Sequence, residues 1–243
     1  MSYEIISEKL GFDKLPKLYQ SGLVFDEIVG CQIPFYEGLG FPPAMLPLAS
    51  AVGNASYFGA YLYDINNLDC TFVELMLDEE ELYEVGLNEQ QFCYFLVRRA
   101  MLDYYEEDNE FIINQISQFC SLLNVEDWNV IGDLSQEEFL QLEIFDLGVP
   151  RYLKLGKNGT TLGNTGFQSR VKTESVHLDY KSEFDAAFMN QDFQKAWNIL
   201  NTPGWNFDDA KVRFKLLTEQ VNNEVMTELY NSWIQLNHPV QGY

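Results

Sequence analysis

The chain has 243 residues, 47% hydrophobic and 15% aromatic, which is enough for a real core and argues against disorder. Its 37 acidic against 15 basic residues give a formal charge of −22 and a pI near 4.2, which argues against nucleic acid or an anionic membrane surface as ligand. No apolar run approaches the ~20 residues needed to span a bilayer, and residues 1–17 lack the apolar stretch of a signal peptide.

The charge is concentrated. Residues 64–146 hold 21 acids and two bases, Arg98 and Arg99, whereas residues 151–243 hold 10 of each. Charge at that density costs folding free energy through self-repulsion, so it serves solubility or the capture of a cationic partner. The four cysteines (Cys31, Cys70, Cys93, Cys120) form no C-x-x-C pair, and are expected to be reduced core thiols of a cytoplasmic protein.

Taken in order, residues 3–20 carry Ile5, Ile6, Leu10, Leu15 and Leu18 at helical spacing, with Gly11 and Pro16 dividing the stretch in two. Residues 23–29 are compatible with a short strand or a turn. Glycines and prolines punctuate residues 35–59, leaving 45–49 as a buried strand. The aromatics of residues 56–63 favour a strand, Asn66-Asn67 a turn, and residues 70–77 its antiparallel partner.

Asp78 is placed to cap a helix whose first turn holds Glu79, Glu80 and Glu81 at the positive end of its dipole. Helices are then predicted over residues 88–105, 110–123 and 135–145, the last opened by a capping box of Ser135 and Glu138. Charge density collapses at Gly148, so the chain divides into a region of residues 1–148 and one of residues 149–243. The second starts with a predicted hairpin over 152–162 that turns at Lys157-Asn158-Gly159. A loop over 161–168 follows, then helices over 180–200 and 208–236, which Trp197, Trp205 and Trp233 are expected to lock together.

Chemistry-bearing motifs are scarce. Gly156, Gly159, Gly163 and Gly166 match neither a P-loop nor G-x-G-x-x-G. Two histidines 61 residues apart cannot form a His-based metal site. Asp127, Asn129, Gly132, Asp133, Ser135 and Glu138 follow part of an EF-hand loop, but Ile131 takes a ligand position, and a helix connection capped by Asp133 or Ser135 is preferred. Ser50 and Ser56 lie in no nucleophile elbow. No catalytic residue, cofactor or metal is assigned.

The order of pieces in residues 1–102 resembles the SMI1/KNR4 family, also called the SUKH superfamily. A leading helix runs into Leu15-Pro16-Lys17-Leu18-Tyr19, and the Gly-interrupted segment 46–54 feeds a strand over 57–63 ending at Asp64. Phe72-Val73-Glu74-Leu75 then precedes a helix containing Gln90-Gln91-Phe92-Cys93-Tyr94-Phe95-Leu96. The resemblance implies an α+β fold, a mostly antiparallel sheet flanked by helices, and no catalytic residues. Residues 103–243 then form an appended, mainly helical region. It further implies an immunity protein that neutralises a cognate basic toxin, often a nuclease, by direct binding.

Charge agrees independently, since a dense acidic face suits a cationic cleft. The acids expected to meet the partner are Glu79, Glu80, Glu81, Glu84, Asp103, Glu106, Glu107 and Asp108, which cluster beside predicted helix ends. The plainer alternative is a solvated face that keeps the protein dispersed. A hydrolase using buried carboxylates and a regulatory scaffold are the competing functions.

Overall fold

The computed structural model describes residues 3–21, 31–32, 41–51, 56–76, 81–104, 110–126, 128–146, 152–153, 160–162, 165–167, 180–202 and 205–237. The chain opens with helices α1 (Tyr3–Lys9) and α2 (Lys14–Gln20). They part at Gly11, whose φ of +74° is a left-handed conformation that glycine takes without steric cost. Pro16 does not divide them. It sits in the first turn of α2, where its missing amide has no intrahelical partner to lose.

Six strands follow in sequence order as one antiparallel sheet: β1 (Cys31–Gln32), β2 (Met45–Ala51), β3 (Ser56–Asp64), β4 (Asp69–Met76), β5 (Glu81–Gly86) and β6 (Tyr152–Leu153). The turn predicted around Asn66-Asn67 joins β3 and β4. The Asp64 carboxylate accepts from the amides of Asn66 and Asn67 at 2.8 and 3.2 Å, the side-chain mimic of a backbone turn. Gly59 is fixed by close approach, because a Cβ there would collide with the carbonyl oxygen of Leu46 on β2.

β5 corrects the predicted helix. Its Leu82 pairs with Leu75 of β4 on one side and with Leu153 of β6 on the other, and is fully buried. Acids in a first turn are worth a few tenths of a kcal/mol up to about 1 kcal/mol to a helix. Burying one Leu side chain is worth roughly 1.5–3 kcal/mol, so the strand prevails.

The predicted 152–162 hairpin is also revised. Tyr152 and Leu153 pair with Tyr83 and Leu82, while β7 (Thr160–Leu162) pairs with β8 (Thr165–Phe167) in the stretch read as a loop. Lys157-Asn158-Gly159 lies outside the described residues, as does the 23–29 segment.

One face of the sheet meets α3 (Glu89–Tyr104): Phe72 stacks on Phe92 at 4.5 Å and Phe58 meets Phe95 at 5.5 Å. Then come α4 (Glu110–Leu123), α5 (Trp128–Ile131), α6 (Gln136–Phe139) and a 3-10 turn (Glu143–Phe145). The helix predicted over 135–145 is thus shorter, though its capping box of Ser135 and Glu138 forms. Ending it early lets Phe139 and Phe145 both reach the core, edge to face at 5.3 Å.

The two C-terminal helices predicted become four: α7 (Tyr180–Met189), α8 (Phe193–Leu200), α9 (Phe207–Val221) and α10 (Glu224–Asn237). The breaks fall at Gln191 (φ +59°), followed by the Asp192 cap of α8, and at Asn222 (φ +48°), a left-handed end to α9 that Asn tolerates.

The tryptophans do more than join helices. The indole N–H of Trp197 donates to the Leu62 carbonyl at 2.9 Å, and that of Trp233 to Phe41 at 2.7 Å. The Ala44 amide donates to Asn201 Oδ1, and Gln194 bonds both the Ile65 amide and the Tyr63 carbonyl. One hydrophobic cluster accordingly runs from Ile6 through the sheet to Trp233, across the position where charge density drops. The architecture is α+β, with a mainly helical region after the sheet, as predicted.

Candidate partner-binding surface

The acidic third divides into two populations with different employment. In the sheet half, three carboxylates serve the fold. Glu84 projects from β5 beside Thr71 of β4 and is 6% exposed. The Thr71 hydroxyl lies 2.7 Å from Glu84 Oε1 and 2.8 Å from the Gly86 carbonyl, so its single proton serves one acceptor at a time. This corrects the expectation for Glu84. A side chain enclosed between strands is not presented to a partner on the folded surface.

Glu89, at the start of α3, reaches back across the chain. Its carboxylate accepts from the amides of Asp13, Lys14 and Leu15 at 2.9, 2.8 and 2.9 Å. It thereby caps the start of α2 from a residue more than seventy positions away, satisfying amides that a helix leaves unpaired. Asp64 holds the β3–β4 turn. Desolvation raises its carboxyl pKa, but the amides and side chains of Asn66 and Asn67 outweigh that and leave it below the ordinary carboxylate value.

In the helical half the described acids face water. Glu110, Glu126, Asp133, Glu137, Glu143 and Asp146 are exposed, and no ion pair reaches them among the described residues. Glu138 is also exposed, and its bonds from the Ser135 hydroxyl and amide hold its pKa below the usual value. One of the two cations of the acidic third, Arg98, is spent on structure. Arg98 donates to Gln136 Oε1 at 2.8 Å and to the Leu134 carbonyl at 3.3 Å, and lies 5.0 Å over the Phe139 ring. It pins α6 to α3 and leaves the outer face to the carboxylates. Burial lowers its pKa from the ordinary arginine value. Described ion pairs lie elsewhere, as with Lys9–Glu224 and Arg213–Asp185.

The other predicted partner acids are placed as follows. Glu81 opens β5 and Asp103 lies in the last turn of α3, but their side chains lie outside the described residues. Glu79, Glu80, Glu106, Glu107 and Asp108 lie outside them entirely. The exposed acids of residues 110–146 are not among the partner acids expected from the sequence. A signal for two of them was present: in α4 the apolar face of Ile116, Phe119 and Leu123 turns Glu110 away from the core, and Glu126 follows the helix end.

No family model matches the chain, and neither a curated protein nor a solved structure does. What can be said chemically therefore comes from the side chains. The partial EF-hand stretch is partly helical at Trp128–Ile131, and its twelfth-position Glu138 is engaged in the capping box. Asp127 lies outside the described residues, and among those described no group of three His, Cys, Asp or Glu is placed to hold a metal ion. Burial pushes the thiols of Cys70 and Cys120 up to about 12, and that of Cys93 upward too, so thiolate nucleophiles are scarce there at neutral pH. Among the described residues no helix is long and apolar enough to cross a membrane.

Proposed function

We propose that this is a non-enzymatic binding protein of the immunity type, which neutralises a basic, nuclease-type toxin by covering its cationic cleft. The observation that carries the reading is the sorting of carboxylates. Among the described residues, Asp64, Glu84 and Glu89 of the sheet half hold a turn, a strand and a helix start, whereas Glu110, Glu126, Asp133, Glu137, Glu143 and Asp146 lie in water, with no Lys or Arg between residues 110 and 146. An uncompensated acidic surface raises the encounter rate with a cationic partner and repels anionic ones. The α+β fold with an antiparallel sheet agrees with the SMI1/KNR4 resemblance, whose members include such proteins.

The test is binding to a basic protein encoded beside this one. Affinity falls steeply between about 50 and about 500 mM salt, as the Debye length shrinks from ~14 to ~4 Å. Reversing the exposed Glu110, Glu126 and Glu137 to Lys weakens it further. Affinity that ignores both salt and charge reversal removes the electrostatic basis of the reading.

The competing hydrolase has one candidate among the described residues, Glu84, which is the buried acid there. A two-carboxylate mechanism requires a second acid ~5–9.5 Å away. Turnover lost in Glu84→Gln, with the fold intact, favours the hydrolase.

A further inference from the structure

We propose that the cavity between α9 and α10 binds a small zwitterion of the amino-acid type, an apolar α-amino acid or a short apolar peptide. Lys211 anchors its carboxylate and Glu228 its ammonium. The proposal concerns the C-terminal helices and does not rest on the partner-binding reading above.

Ring packing builds the cavity. α9 and α10 run antiparallel, with Phe207 stacked on Trp233 at 5.2 Å and Phe214 meeting Tyr230 edge to face at 5.3 Å. Lys211 lies one helical turn from each of these phenylalanines, so it stands opposite the 230–233 turn of α10. Beside it opens a cavity of about 550 Å³, whose wall Lys211 shares with Glu228, Tyr230, Ser232 and Ile234. Small-molecule sites span roughly 300–1,000 Å³.

Two observations point to a ligand. Ser232 is only 3% exposed, yet among the described residues its hydroxyl has no hydrogen-bond partner. Buried polar groups are ordinarily paired, and a hydroxyl left over on a cavity wall regains its bond from whatever enters the cavity. The second observation is Lys211. The other two cations of α9 each reach a carboxylate, Arg213 at Asp185 and Lys215 at Glu219. Lys211 reaches none among the described residues, and its ammonium lies 5.8 Å over the Phe207 ring. In a chain with 37 acids, a cation held this way is open to a carboxylate from outside.

The wall also sets the ligand class. The described Lys211 and Glu228 line one cavity without forming an ion pair, so both signs are offered across it. A carboxylate accepts several donors at once, which suits Glu228 to an ammonium. The net charge of −22 opposes entry of an anion, whereas a zwitterion brings no net charge. Burial, helped by the Glu219 carboxylate, holds the Tyr230 phenol above its ordinary pKa, so it stays a donor. It joins the Ser232 hydroxyl as a neutral donor, and Ile234 offers an apolar side to the ligand's side chain.

The experiment titrates the isotope-labelled full chain, followed by NMR, with leucine, leucyl-leucine, N-acetyl-leucine and leucinamide. Leucine or the dipeptide is expected to shift the amides of residues 211 and 228–235, and the tighter of the two identifies the source. The two blocked compounds each keep one charge and should bind about tenfold more weakly, as loss of one charge-assisted contact requires. Ser232→Ala should weaken binding about threefold to tenfold without lowering the thermal melt of the free protein, since its hydroxyl has no partner to lose. Lys211→Gln should weaken it about tenfold, and Lys215→Gln on the same helix is the control that changes nothing. N-acetyl-leucine binding as well as leucine overturns the zwitterion assignment. So do a Ser232→Ala variant that loses stability but not affinity, and the absence of shifts at these residues with every compound at high millimolar concentration. Each of those failures leaves the partner-binding reading standing.

Discussion

The two halves of the acidic third look alike as charge but differ as structure. Asp64, Glu84 and Glu89 each accept hydrogen bonds within the protein, from a turn, a neighbouring strand and a distant helix start. Glu110, Glu126, Asp133, Glu137, Glu143 and Asp146 lie exposed on helices and their connections. The same residue types thus do opposite things to stability. A carboxylate given donors lowers the free energy of the fold, and one left among other acids raises it by repulsion. Retaining many of the second kind has a cost, which points to a use outside the fold.

Mutation separates the halves, and the largest effect is expected at Glu84. Glu84→Ala opens a buried space and leaves Thr71 with the Gly86 carbonyl as its remaining acceptor, so urea unfolding should show a loss of about 2 kcal/mol. A neutral result there would erase the distinction. Glu89→Ala strips three amides at the start of α2 of their acceptor and should cost about 1–2 kcal/mol. Hydrogen exchange at residues 13–15 should quicken in that variant, while the β3–β4 ladder stays protected.

Acid titration is a gentler probe. Asp64 and Glu138 have folded pKa values below their unfolded ones, so each contributes stability that is fully present above the unfolded value, about 4. That stability is lost as pH falls through the folded value. Asp64→Asn and Glu138→Gln should flatten the stability profile below about pH 4, read by unfolding midpoints across an acid series. The smallest effect belongs to the exposed set. Glu110, Glu126 and Glu137 changed together to Lys should move stability by no more than about 0.5 kcal/mol each, toward greater stability at low salt. If that triple variant unfolds readily, the helical-half acids are structural after all.

Some of this was legible from local pattern. The helix of Glu110–Leu123 shows its period in Ile116, Phe119 and Leu123, and the Ser135–Glu138 capping box is complete within four residues. Asn66-Asn67 marks a turn because the aspartate that closes it is adjacent. These features depend on neighbours within one turn of chain. The candidate surface was legible only as a charge count, since sequence does not tell which acids find donors. Glu89 reads as a first-turn acid of its own helix, whereas it caps another one.

The sequence by itself determined the α+β class, the acidic block and most element positions, because periodicity, caps and turns are short-range properties. The tertiary structure alone decided that Glu81–Gly86 is a strand, because its partners are β4 and the remote Tyr152–Leu153. It alone decided that Glu84 is buried, and that Trp197 and Trp233 reach across to the backbone of Leu62 in β3 and of Phe41 ahead of β2. Each of those outcomes depends on a residue tens of positions away, where the burial and hydrogen bonding of the whole fold outweigh the local preference of any one segment.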